Sequence, residues 1–171
     1  MNIAKFQADL ISFILTNDLE KLGRKHPFVF FDNGRYWCTF DGCVMMGIPE
    51  SNWFLNAQKI NGTANVFKNK LDKFYDEHQN SECSTYTGDR IHTVVDTKGR
   101  TKNYKVACMH SDQYGDRYIN PKFLKYFDKS DFICVPEKQN SILPVVDENS
   151  HIIALIAPVR CKELEPANDE T

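Results

Sequence analysis

At 171 residues, with hydrophobic side chains at 42% and a formal net charge of −2, the chain has enough apolar material for one packed core. That balance excludes wholesale disorder, and the lack of a basic excess excludes nucleic-acid binding driven by net charge alone. No apolar run approaches the roughly 18 residues of a membrane-spanning helix, and no basic-then-apolar leader opens the sequence.

Phe6, Leu10, Phe13 and Ile14 recur at helical spacing and predict a helix over 3–17. Gly23 and Pro27 mark its stop. A three-stranded meander over 28–48 follows, because Asp32-Asn33-Gly34 and Asp41-Gly42 supply residues that tolerate the positive φ of tight turns. Ser51 suggests the cap of a short helix over 51–60 carrying Trp53, Phe54 and Leu55. Thr63 caps a second helix over 63–78, with Phe67, Leu71 and Phe74 on its apolar face. Residues 79–90 and 111–117 read as polar loops. Between them, 91–97 and 102–110 read as a hairpin turning at Thr97-Lys98-Gly99-Arg100. Asn120-Pro121 begins a further helix, with asparagine as cap and proline at the first helical position. Strands are expected at about 131–135, 142–146 and 151–157, and 162–171 is a polar tail.

One pattern thus occurs twice: a helix followed by three short strands, the third ending at Pro49 in the first copy and Pro158 in the second. The fold class is α+β, an internally duplicated helix plus antiparallel meander, with strands in one layer and helices in the other. Six cysteines, none in a Cys-x-x-Cys pair, several within predicted strands, point to free buried thiols and a cytoplasmic setting.

Residues 118–160 resemble the end of bacterial DNA polymerase sliding clamps. The likeness is carried by Tyr118-Ile-Asn-Pro-Lys-Phe-Leu-Lys-Tyr-Phe127, by Ile142-Leu-Pro-Val-Val146, and by Ile152-Ile-Ala-Leu-Ile-Ala-Pro-Val-Arg160. It implies a single clamp-like domain over 1–161, with an insertion at about 50–100. A clamp subunit carries three such domains, so a ring of this chain would need about six copies. The clamp's closing strand helps form a groove for short peptides. That implies a peptide-binding role for Ala157, Pro158, Val159 and Arg160, with alanine standing where the family has methionine. Clamp helices line a DNA hole. The corresponding lysines here are Lys122, Lys125 and Lys129, in company with Asp9 and Asp18 on the first helix.

Other candidates come from the residues alone. Lys98, Arg100, Lys102 and Lys105 make a basic hairpin around Tyr104, suited to nucleic acid or to an acidic partner, or simply to guarding a sheet edge. Cys108 and His110 share a strand face, and with His92 they are the candidates for a Cys/His hydrolase. Asp112, Asp116, Asp128 and Asp131 lack calcium-loop spacing. No catalytic set, metal site or cofactor motif is expected.

The sequence therefore predicts a non-catalytic clamp-like binding module in a DNA replication or mobile-element (phage) setting. It would bind a protein partner or itself, with DNA as a further partner and no membrane. The alternative is a small inhibitor that sequesters a nucleic-acid enzyme through the 50–100 insertion.

Overall fold

The computed structural model describes residues 1–18, 27–56, 60, 71, 80–95 and 98–161. It is a mixed α+β structure with antiparallel sheets. Helix α1 (Ile3–Thr16) starts where the Asn2 side chain accepts a hydrogen bond from the Lys5 amide at 3.1 Å. It ends where the side chains of Thr16 and Asn17 donate to the carbonyls of Ser12 and Phe13, each at 2.8 Å. Its buried stripe is Phe6, Gln7 and Leu10.

Strands β1 (Phe28–Asp32), β2 (Arg35–Thr39) and β3 (Val44–Pro49) form the first meander. Asn33 and Gly34, with φ of 48° and 72°, make the tight β1–β2 turn. Asp41 shapes the β2–β3 turn by accepting from the amides of Cys43 and Val44. Strands β4 (Ser81–Cys83), β5 (Thr85–Val95), β6 (Thr101–Ser111) and β7 (Gly115–Ile119) come next. A 3-10 helix, Pro121–Tyr126, leads into the second meander, β8 (Phe132–Pro136), β9 (Leu143–Val146) and β10 (Ile152–Ile156).

The large sheet has the order β1-β2-β3-β10-β9-β8-β4, and β5-β6-β7 form a separate sheet. The two meanders join where β3 pairs antiparallel with β10, placing Met46 opposite Ala154, Met45 opposite Leu155 and Val44 opposite Ile156. Alternation along each strand sends residues to two apolar faces. One face carries Val29, Cys38, Met46, Ile48, Val145 and Ile156. It is covered by Phe6 and Leu10 of α1, by Phe123 and Tyr126 of the 3-10 helix, and by Ala107, Met109 and Ile119 of the small sheet. The other face gathers Phe28, Trp37, Met45, Val146 and Leu155 around Leu71. The expected separation of strands from helices is thus only partial, because a second sheet shares the covering layer with α1.

Several expectations are corrected. A helix over 51–60 capped by Ser51 is not seen at its start. Instead Glu50–Asn52 is one 3-10 turn after Pro49, and the chain then extends. The cause is Gln7, whose buried amide donates to the Asn52 carbonyl (2.9 Å) and accepts from the Phe54 amide (3.3 Å), holding the chain along α1. Trp53 stacks on Tyr36 instead, with ring centroids 4.9 Å apart. The supposed loop 79–90 contains β4 and the start of β5, and the supposed loop 111–117 contains the start of β7. The helix at the second meander is 3-10, with Asn120 capping it through Lys122 N as expected. Apart from Leu71, which is helical and buried, the helix expected over 63–78 lies outside the described residues, as does the tail 162–171.

Gly47 on β3 lies under the wholly buried Trp37: a Cβ there would sit 2.8 Å from the indole ring. Gly47→Ala is expected to lower stability by about 1–3 kcal/mol through overpacking, read as a drop in the urea midpoint at unchanged slope.

Candidate functional site

Beyond β10 the chain leaves the large sheet and crosses to the small one. The Ala157 amide donates to the Cys43 carbonyl and the Val159 amide to the Tyr118 carbonyl, both at 2.7 Å. Between them Pro158 has no amide hydrogen to satisfy, which suits a segment passing from one sheet to another. Val159 and Cys161 then pack on Val106, Cys108 and Tyr118, the outer face of the small sheet.

This crossing makes one wall of a cleft of about 830 Å³, formed by Pro158, Val159, Arg160 and Cys161. The rest of the lining comes from Gly115–Tyr118 of β7 with His110 and Tyr114, and from Gln139 and Asn140 of the β8–β9 turn. Arg117 is buried in this framework. Its guanidinium donates to the carbonyls of Tyr114 and Asp116 at 2.9 Å, and to those of Pro136 and Glu137 at 3.3 and 3.4 Å. It thereby ties β7 to the end of β8.

His110 stands at the cleft with Nδ1 2.7 Å from Asp116 Oδ1 and Nε2 3.3 Å from Asp112 Oδ1. The bond to Asp116 first, and Asp112 second, hold its pKa above the ordinary value despite partial desolvation. Two of the four aspartates that lack calcium-loop spacing therefore grip an imidazole. The other two, Asp128 and Asp131, flank the Met1 amino group.

The three hydrolase candidates are not brought together. Cys108 is wholly buried, and burial pushes its thiol pKa up. His92 lies opposite Tyr104, six positions along β6 from His110, which is roughly 20 Å at the strand rise of about 3.3 Å per residue. Among the described residues no group of three or more His, Cys, Asp or Glu side chains is placed to hold a metal ion.

The basic candidates divide into two sets. Lys122 Nζ is 3.1 Å from Asp41 Oδ2, and Lys125 Nζ is 2.5 Å from Asp9 Oδ2, which also accepts from the Tyr126 hydroxyl at 2.8 Å. Both amines are engaged within the fold, and Lys125 holds the Asp9 carboxyl below its usual pKa. Lys129 is exposed in the following turn. Arg100 and Lys102 instead sit at the far end of the β5–β6 ribbon, whose residues 91–95 and 101–105 are almost all exposed. There they accompany exposed Ile91, Val94, Val95 and Tyr104, while Lys105 pairs with Asp89 at 2.5 Å. A shallow hollow beside this ribbon is lined by His92, Val94, Tyr104 and Val159, so it adjoins the main cleft at Val159.

Sequence reasoning pointed to Ala157–Arg160, of which Ala157 does not line this cleft, and it missed the β7 side of the lining. Its signal was present in Gly115, which turns with φ of 71°, followed by the Arg117/Tyr118/Ile119 strand run. The reach of the ribbon was also missed, since its polar strands carry no apolar period. Compared with known proteins, the chain matches no family model, no curated protein and no solved structure. Among the described residues no helix is long and apolar enough to cross a membrane.

Because Asp116 raises the folded-state pKa of His110, the stabilisation from this pair is complete below about pH 6.5. It is lost as pH rises through the folded value. An NMR titration of the His110 ring is expected to show a midpoint above 6.5, falling toward that value in Asp116→Asn. Coincident midpoints in the two proteins would remove the pair as the cause.

Proposed function

We propose that this protein is a non-catalytic binding module, related in design to a single sliding-clamp domain, that captures an extended peptide from a protein partner. The observation that carries this reading is the cleft of about 830 Å³ with Pro158, Val159 and Arg160 as one wall. An extended peptide needs hydrogen-bonding groups along its backbone and shallow apolar seats for alternate side chains. Asn140, Gln139 and Arg160 supply the first, and Val159 and Tyr114 the second.

The clamp-like reading draws support from the order of elements. Each meander follows a helix, α1 in one case and the 3-10 helix in the other, and their last strands pair antiparallel. A replication or mobile-element role, a cytoplasmic location and assembly into a ring belong to this proposal. The engagement of Lys122 and Lys125 with carboxylates favours a protein partner over a DNA track on the helices.

The peptide reading is tested by panning a random peptide display library against the wild-type protein and against Val159→Glu and Arg160→Glu. The expected result is a family of sequences that binds wild type at least tenfold more tightly than either variant. Recovery of no sequence sensitive to these two positions would overturn the cleft as the binding site.

A second reading, the inhibitor that acts through the insertion, is favoured by one observation: the exposed ribbon with Ile91, Val94, Val95 and Tyr104 among basic residues. Light scattering of the protein, with and without duplex DNA, separates a peptide-binding module from a DNA-encircling ring and from a ribbon that binds DNA directly. A peptide-binding module is expected to keep one mass with or without DNA. Assembly of about six copies around DNA would establish the ring. A DNA complex that Arg100→Glu with Lys102→Glu abolishes, and that weakens steeply with salt, would move function to the ribbon.

A further inference from the structure

The short edge strand β4 places two thiols against each other. Cys83 and Cys134 are directly opposite in the β4–β8 register, and their sulfurs are 3.6 Å apart. The adjacent opposed pair, Ser84 and Ile133, carries a ladder bond, with the Ser84 amide donating to the Ile133 carbonyl at 2.9 Å. Three positions from the cysteine pair on the other side, the Glu137 amide donates to the Asn80 carbonyl at 3.1 Å. Hydrogen-bonded and non-hydrogen-bonded pairs alternate along an antiparallel ladder, so Cys83 and Cys134 occupy a non-hydrogen-bonded site. Such sites bring Cα atoms to about 4.5 Å. That lies at the short end of the range a disulfide spans, about 4.4–6.8 Å.

The two thiols differ in access. Cys83 is exposed on the outermost strand of the large sheet, while Cys134 is buried beneath it in the cluster with Trp37 and Leu155. One sulfur can meet a reagent from solution, and the other lies within contact of the product. We propose that Cys83 and Cys134 are a reversible redox-modification site, closed to a cross-strand disulfide by exchange with a low-molecular-weight disulfide.

The exchange takes two steps. The Cys83 thiolate attacks one sulfur of the reagent RSSR, forming a Cys83–S–SR bond and releasing RS⁻, which takes up the proton Cys83 gave up. Cys134 then attacks the Cys83 sulfur, the Cys83–SR bond breaks, and RSH leaves with the Cys134 proton. Two protein thiols are oxidised and one RSSR is reduced to two RSH. The bridge would pin β4 to β8 at the root of the β5–β6 ribbon, since only Ser84 separates Cys83 from β5. Ser84 already anchors there, its hydroxyl donating to the Ile133 carbonyl at 2.6 Å. This inference stands on the β4–β8 register alone and is independent of the peptide reading.

The test is incubation of the native full chain with oxidised glutathione, followed by alkylation of remaining thiols and mass spectrometry of the non-reduced digest. The expected result is a linked peptide joining Cys83 to Cys134. It should disappear on reduction with dithiothreitol, and the oxidised protein should melt roughly 5–10 °C higher. Cys83→Ser, a change at an exposed position with the fold checked by circular dichroism, should abolish both the link and the shift. A Cys83 that accumulates only as the glutathione adduct, with Cys134 still open to alkylation after unfolding, would overturn the proposal. So would a link that forms only in denaturant.

Discussion

The antiparallel pairing of β3 with β10 is the constraint on which the rest of the molecule depends. It joins strands that are about a hundred residues apart in the chain, and it makes one seven-stranded sheet out of two three-stranded meanders and an edge strand. Both meanders are buried on two faces. A slip of one residue at this seam would therefore exchange the side of Met46 and Ala154, which meets α1, for the side of Met45 and Leu155, which meets Trp37. Register is specified by that two-sided demand more than by any single contact. The absence of a side chain at Gly47 is part of the same specification, because the Trp37 indole occupies the space a Cβ would take.

The parts of the fold legible in the sequence were those with a local physical cause. Asn33-Gly34 announced a turn because few other residues accept that backbone, and the Phe6/Leu10 spacing announced α1 because one helix face had to be apolar. The illegible parts had remote causes. Gln7 reaches Asn52 and Phe54 from another element, so the extended path after Pro49 could not be read near Ser51. Strand β4 exists because β8 offers it a ladder, and β5 is largely solvated, so neither needed an apolar pattern. At the candidate site the same division holds. Ala157–Arg160 was marked only by the expectation drawn from a clamp's closing strand, whereas the β7 part of the lining is held by Arg117 binding carbonyls some twenty residues away.

Charge is distributed with a similar logic. Lysines near α1 and the 3-10 helix are matched by Asp9 and Asp41, which fasten those two covering elements to each other and to the β2–β3 turn. Acidic residues around β6 and β7 are matched by His110 and by the Ser111 hydroxyl, which donates to Glu82 of β4. The second arrangement links the small sheet to the edge of the large one, so the cleft wall and the edge strand are mechanically continuous. The basic end of the ribbon extends beyond both arrangements.

The topology also has a consequence for the order in which the protein is made. Helix α1 and strands β1–β3 emerge from the ribosome well before β10, and until β10 arrives the inner side of β3 is an open, apolar sheet edge. The β5–β6 hairpin, built from local pairings, can close while the chain is still being extended. Strand β3 must wait. A stalled or truncated chain lacking residues 152–156 would present Val44–Ile48 as an unpaired template, so incomplete translation products of this protein should be prone to aggregate through that edge.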